Sequence, residues 1–157
     1  MAAAVLCQFA THKPVLDAKV RIDYLFAFGP TDANGNKIGP AIKCHGHQAL
    51  AEVRKLGLKC RVAGRGDAEI VIDGDWWHNA DEEEQRSLLD HELHHIAVVE
   101  KQTDDIGRPR LKLRHHDVEF GWFSIVASRH GTHSMERIQA ASMMETHGQY
   151  FWPELVR

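Results

Sequence analysis

SLLDHELHHI, from Ser87 to Ile96, is the segment around which the rest of the chain is organised. It contains the pattern H-E-x-x-H, written here His91-Glu92-Leu93-His94-His95. Residues four apart on a helix lie about 40° from each other around the axis and one turn along it, so His91 and His95 can converge on one ion. Zinc takes nitrogen ligands at about 2.0–2.1 Å and, in catalytic sites, three protein ligands plus a water. Glu92, next to the first histidine, can reach such a water without occupying the metal. From there it can take the water's proton and later deliver it to a leaving amine. On a helical wheel Leu88, His91, Glu92, His95 and Val99 share one sector, with Leu89 and Ile96 beside it. The motif is therefore expected to face the packed side, and His94 to face solvent. A His91–His94 ligand pair is the alternative, but it leaves the inward His95 unexplained. The chain holds 12 histidines, which raises the rate of accidental metal-like spacings, so the motif has to be supported by its context.

That context is a helix expected from about Ala80 to Val99. It is capped by Asn79 or Asp81, and Asp81, Glu82 and Glu83 sit in its first turn at the positive end of the dipole. Before it, Glu69 to Asp73 (EIVID) reads as a strand broken by Asp73-Gly74-Asp75, followed by Trp76 and Trp77, of which at least one is expected in the core. Ala18 to Phe28 (AKVRIDYLFAF) reads as a half-buried strand with Val20, Ile22 and Tyr24 on one face. Asn34-Gly35 offers a reversal, and a short strand is expected around Lys37 to Lys43. Gln48 to Leu58 reads as a helix through Ala49, Leu50, Val53 and Leu56, stopped by Gly57. Downstream, Thr103 to Arg114 suggests a hairpin turning at Asp105-Ile106-Gly107. A helix follows from His116 to about Arg129, ended by Gly131, and Ser134 caps a last helix through about Glu145. Strands and helices follow one another without a βαβ rhythm. This points to one α+β domain over residues 1–157, with a small, mainly antiparallel or mixed sheet and the motif helix packed on it.

The third ligand has to come from elsewhere. His115, His116, Asp117 and Glu119 form the nearest downstream cluster. His116 is the first choice, because Phe120 one turn on would turn it back toward the motif helix. Glu119 is the runner-up, and His115 a further alternative. The competing explanation for this cluster is helix-start chemistry, with Asp117 or His116 as a cap and Glu119 favouring the dipole. His12, His45, His47, His78, His130, His133 and His147 have no defensible ligand spacing and are expected to be surface or structural residues.

Composition narrows the class. An apolar fraction of 43% and a charged fraction of 26% are ordinary for a soluble globular protein. A net charge of -3 supplies no basic field, so nucleic acid is not expected as a partner. Cys7, Cys44 and Cys60 are odd in number and widely spaced, which argues for reduced thiols rather than a disulfide framework or zinc ribbon. The first nine residues lack a basic start and a signal-length apolar run. No stretch approaches the roughly 20 apolar residues of a membrane helix. A cytoplasmic location and no membrane partner are the expectation.

In AKVRIDYLFAF, EIVID followed by DWW, SLLDHELHHI and HHDVEF (His115 to Phe120), the chain resembles the putative phage metallopeptidase family, a group of small zincin-like proteins. The resemblance runs from about Val15 to Arg129. The pattern is also similar to SprT-like proteases, which have an H-E-x-x-H helix and a later His four residues before an aromatic. The resemblance implies a zincin-like fold, zinc held by His91, His95 and His116, Glu92 as the catalytic glutamate, a peptide or protein substrate, and host cytoplasm as the location of a phage-encoded chain. It also implies that Glu69 to Asp73 pairs with extended substrate by edge addition. SprT-like proteins commonly add a zinc ribbon, which this chain lacks the cysteine pairs to build.

Three functions compete at this stage. The first is a zinc metallopeptidase. The second is a zinc-stabilised, non-catalytic binding module, whose ion would be closed off by four protein ligands, with His115 or Glu119 as the fourth. The third is a zinc amidase acting on a non-peptide link. Glu92 directly after His91 favours a hydrolase, because a structural site has no use for a glutamate there.

Overall fold

The computed structural model describes residues 1–44, 46–116 and 123–147, with side chains to residue 142. Helix α1 (Ala2–Gln8), a 3-10 turn (Ala10–His12) and helix α2 (Lys13–Asp17) lead into strand β1 (Ile22–Ala27). The short strands β2 (Lys43–Cys44) and β3 (His47–Gln48) pair antiparallel, and strand β4 (Ala51–Lys55) and helix α3 (Leu58–Val62) follow. Strand β5 (Ala68–Asp73), the single turn α4 (Gly74–Trp77) and the long helix α5 (Glu82–His95) come next. Strands β6 (Ile96–Thr103) and β7 (Pro109–Leu113) form a hairpin, and helices α6 (Ser124–His130) and α7 (Met135–His147) close the described chain. The fold is α+β with small sheets, as the element order implied.

The principal sheet has the order β1–β5–β4. β5 runs parallel to β1 (Ile22 opposite Ala68) and antiparallel to β4 (Ala51 opposite Ile72). Alternation places Ala68, Ile70 and Ile72 of β5 and Ala51 and Val53 of β4 on one buried face. Against that face α5 lays Leu88, Leu89 and Leu93, and α1 adds Val5 from the far side of the helix. Trp76 and Trp77 pack partly buried on the same core, in keeping with the expectation that at least one is a core residue.

Several boundaries differ from the sequence reading. Gln48 to Leu58 is not a helix: the apolar spacing that suggested one also places Ala51 and Val53 two apart on a strand face, and pairing with β5 decides between the two. The helix there is the short α3, beginning after Gly57. The short strand expected around Lys37 to Lys43 is reduced to a single bridge between Thr31 and Lys37 and the two residues of β2. α5 ends at His95, four residues earlier than expected, because Ile96, Val98 and the residues between them pair with β7. The hairpin turns where expected: Gly107 takes φ +75°, and Asp104 Oδ1 accepts the amides of Ile106 and Arg108. Asp81 caps α5 with a reciprocal Asp81–Glu84 box, and Ser134 caps α7 by accepting the Arg137 amide. His45, Asp117, Glu119 and Phe120 lie outside the described residues.

β5 has a neighbour on each side, which overturns the expectation that Glu69 to Asp73 receives extended substrate. The edges of this sheet are β1 and β4, and β4 is the strand that packs against α5.

Candidate metal centre

α5 presents His91 and His95 on one stripe, both in its last two turns. The hairpin brings the third residue. Where α5 gives way to β6, the strand departs and β7 returns beside it, so the backbone of Arg114 meets the end of the helix. The Arg114 amide donates to the His95 carbonyl at 2.7 Å, and the His95 ring nitrogen Nδ1 donates to the Arg114 carbonyl at 2.8 Å. Two residues on, His116 Nε2 lies 3.2 Å from His91 Nε2. One ligand atom from each of His91, His95 and His116 falls within 4.8 Å of the others. His115 is exposed and stands outside this group.

The geometry suits a metal. Two nitrogens bound tetrahedrally at 2.0–2.1 Å stand about 3.3 Å apart, close to the His91–His116 separation. The ring orientations suit it as well. A carbonyl only accepts, so His95 carries its proton on Nδ1 and leaves the Nε2 lone pair free. His91 Nδ1 is 2.9 Å from Glu136 Oε1, which fixes the same tautomer when it donates. A ligating histidine whose other nitrogen is held by a carboxylate or carbonyl is the usual outer arrangement of metal sites. Phe123, fully buried, packs its ring against His91, His95 and His116 at centroid distances of 5.1, 4.9 and 5.1 Å and restricts their rotation.

Charge in the site points the same way. Burial lowers the His95 pKa to about 4, more than the Arg114 carbonyl raises it, so the ring is neutral and able to bind a cation. At His91 burial again opposes charge, but the Glu136 hydrogen bond and the Glu92 carboxylate outweigh it and raise the pKa. Burial pushes Glu92 up to about 7, against the pull of His91, with Glu52 on β4 and Glu136 adding to the rise. Glu136 is buried, and its Oε2 has no hydrogen-bond partner among the described residues. The buried Glu92 and Glu136 side chains thus stand beside the imidazoles, and a divalent cation would balance these acidic groups.

Two features of this region were not foreseen. Glu136 sits 45 residues from His91, and no local pattern in the sequence links the two. His94 was expected in solvent but is 4% exposed, packed on Phe123 at 4.8 Å and on His12 at 5.7 Å, because α1, the 3-10 turn and α6 cover that side of α5. His12 is buried with it.

The sequence model of the putative phage metallopeptidase family matches residues 2–146, nearly the whole chain. The chain belongs to this family, whose description is that of a metal-dependent peptidase. No curated protein and no solved structure matches it. No helix among the described residues is long and apolar enough to cross a membrane.

Proposed function

We propose that the protein is a zinc-dependent metallopeptidase with a zincin-like site, in which His91, His95 and His116 hold the metal and Glu92 is the general base. The observation that carries this reading is the convergence of the three imidazoles, two of them with ring tautomers fixed by Glu136 and the Arg114 carbonyl. Among the described residues the group supplies three ligands, which suits an open catalytic position rather than the closed four-ligand sphere of a structural site. Zinc bound there would polarise a peptide carbonyl and lower the pKa of water.

The chain's own residues supply the rest. Glu92 follows His91 on the same helix and is 5% exposed, so water around it is restricted. Its raised affinity for a proton suits a group that takes one from the attacking water and returns it to the leaving amine. β4 is an edge strand beside α5 and is the place for an extended peptide to add by main-chain pairing. The substrate is a peptide or protein, and the setting a host cytoplasm.

Replacing Glu92 with Gln keeps size and much of the hydrogen bonding but removes the base. Hydrolysis of an unstructured protein or peptide library should fall by about 10²–10⁴-fold, while zinc content and melting temperature stay near wild type. Equal cleavage by wild type and Glu92→Gln would end the proposed role.

A further inference from the structure

α5 carries a second pair of residues four apart, Asp90 and His94, on the stripe adjacent to His91 and His95. Both are buried, and His12 from the 3-10 turn after α1 is buried against them. His12 Nε2 lies 2.6 Å from Asp90 Oδ1, and the His12 and His94 rings meet edge to face. One ligand atom from each of His12, Asp90 and His94 falls within 4.8 Å of the others. His130 at the end of α6 approaches the other carboxylate oxygen, with Nε2 3.0 Å from Asp90 Oδ2.

One atom in this group is unexplained. His94 Nδ1 is buried, with His94 4% exposed, and has no hydrogen-bond partner among the described residues. A buried ring nitrogen without a partner is costly unless something unseen takes its lone pair.

We propose that His12, Asp90 and His94 form a second metal site, for a borderline divalent cation such as zinc. His12, Asp90 and His94 are 2%, 0% and 4% exposed, so an ion held there is shut away from substrate and this site is structural. It would tie the N-terminal segment to α5 through one ion. Arg129, which reaches both Asp90 oxygens at 3.1 Å, is the group a cation must displace or share with. It has other anchors: its second amino group donates to Thr11 Oγ1 at 2.8 Å, and its guanidinium stacks 4.2 Å from the Phe9 ring. Phe123 packs on His94 and on the three histidines of the first group, and so stands between the two.

The test is metal stoichiometry of the full chain produced in zinc-replete medium and dialysed against zinc-free buffer. Wild type should retain two zinc ions, His91→Ala one, and His94→Leu one. One zinc in wild type that disappears in His91→Ala overturns the second site while leaving the first intact. Two zinc ions in wild type that are unaffected by His94→Leu overturn it as well. Loss of both in His91→Ala would also count against it, because the sites share no ligand. If His94→Leu does not fold, imidazole nitrogen signals decide on the wild-type chain. On addition of the second zinc equivalent those of His12 and His94 should shift, and static signals overturn the assignment.

Discussion

α5 presents two stripes with the same spacing and different surroundings. His91 and His95 face the mouth formed by the β6–β7 hairpin and α7, and their Nδ1 atoms are occupied by Glu136 and the Arg114 carbonyl. Asp90 and His94 face the adjoining flank, packed against α1, α6 and Phe123. There the carboxylate is met by Arg129, His12 and His130. Burial works against its charge, yet these partners hold its pKa well below the usual range. Helical spacing alone makes either stripe a candidate ligand pair. What separates them is which ring nitrogens the neighbours leave free and how deeply they are buried: the first stripe ends in the partly exposed His95, whereas Asp90 and His94 on the second are both buried.

The largest effect that would sharpen this contrast is expected from Asp90→Ala. It leaves Arg129 and two histidines around a buried site without their carboxylate. Removing one partner of a buried charge pair typically costs about 3–5 kcal/mol. Denaturant unfolding should register that loss, and folded Asp90→Ala should still bind zinc through His91, His95 and His116. An unfolding midpoint near wild type would mean that the buried stripe contributes little to stability.

His116→Ala comes next. It removes a proposed ligand rather than a neighbour of one, so zinc affinity should fall by more than the roughly 10–100-fold typical of an outer partner. His115→Ala, exposed and outside the group, should leave affinity unchanged. A reversed ranking in competition titrations would move the third ligand away from His116. Glu136→Gln lies below His116→Ala, with an expected loss of about 10–100-fold. The amide can still accept from His91 Nδ1, so the ring stays oriented, but the carboxylate that raises ligand basicity is gone. An unchanged zinc affinity would reduce Glu136 to a packing residue.

How much of this was legible in the sequence follows from the range of the interactions. The α+β class, β1, β5, the capped start of α5 and the 103–114 hairpin rest on local signals: alternation, a capping residue, a turn glycine. His91, His95 and His116 were likewise named from spacing and a nearby cluster, and the structure brings them together. Glu136 and the burial of His94 were not legible, because each depends on an element far away in sequence. α7 supplies the Glu136 contact, and α1 and α6 turn the outer face of α5 into an inner one. The same holds for β4, where an apolar spacing compatible with a helix is settled by its partner β5. The end of α5 at His95 was legible in principle: Ile96, Val98 and Val99 are β-branched, and read with the hairpin they favour a strand. That early end matters, because it brings β7 and then His116 back to the helix terminus.

The smallest effect concerns the other end of the same helix. Asp81 Oδ1 accepts the Glu84 amide at 2.8 Å, and Glu84 Oε2 accepts the Asp81 amide at 3.0 Å. Asp81→Ala opens this box and should cost about 1 kcal/mol, or about 2–4 °C in melting temperature for a chain of this size. Asp81→Asn retains an accepting oxygen and should recover most of that loss. Ten residues of helix separate Asp81 from His91, about 15 Å along the axis. The cap therefore acts on the stability of α5 but not on its ligands, and zinc affinity in Asp81→Ala should match wild type once the protein is folded. A fall in affinity at temperatures well below melting would show that fraying of the first turn reaches the last two. In that case the two ends of α5 behave as one cooperative unit, and the contrast between its two stripes has to include the helix start.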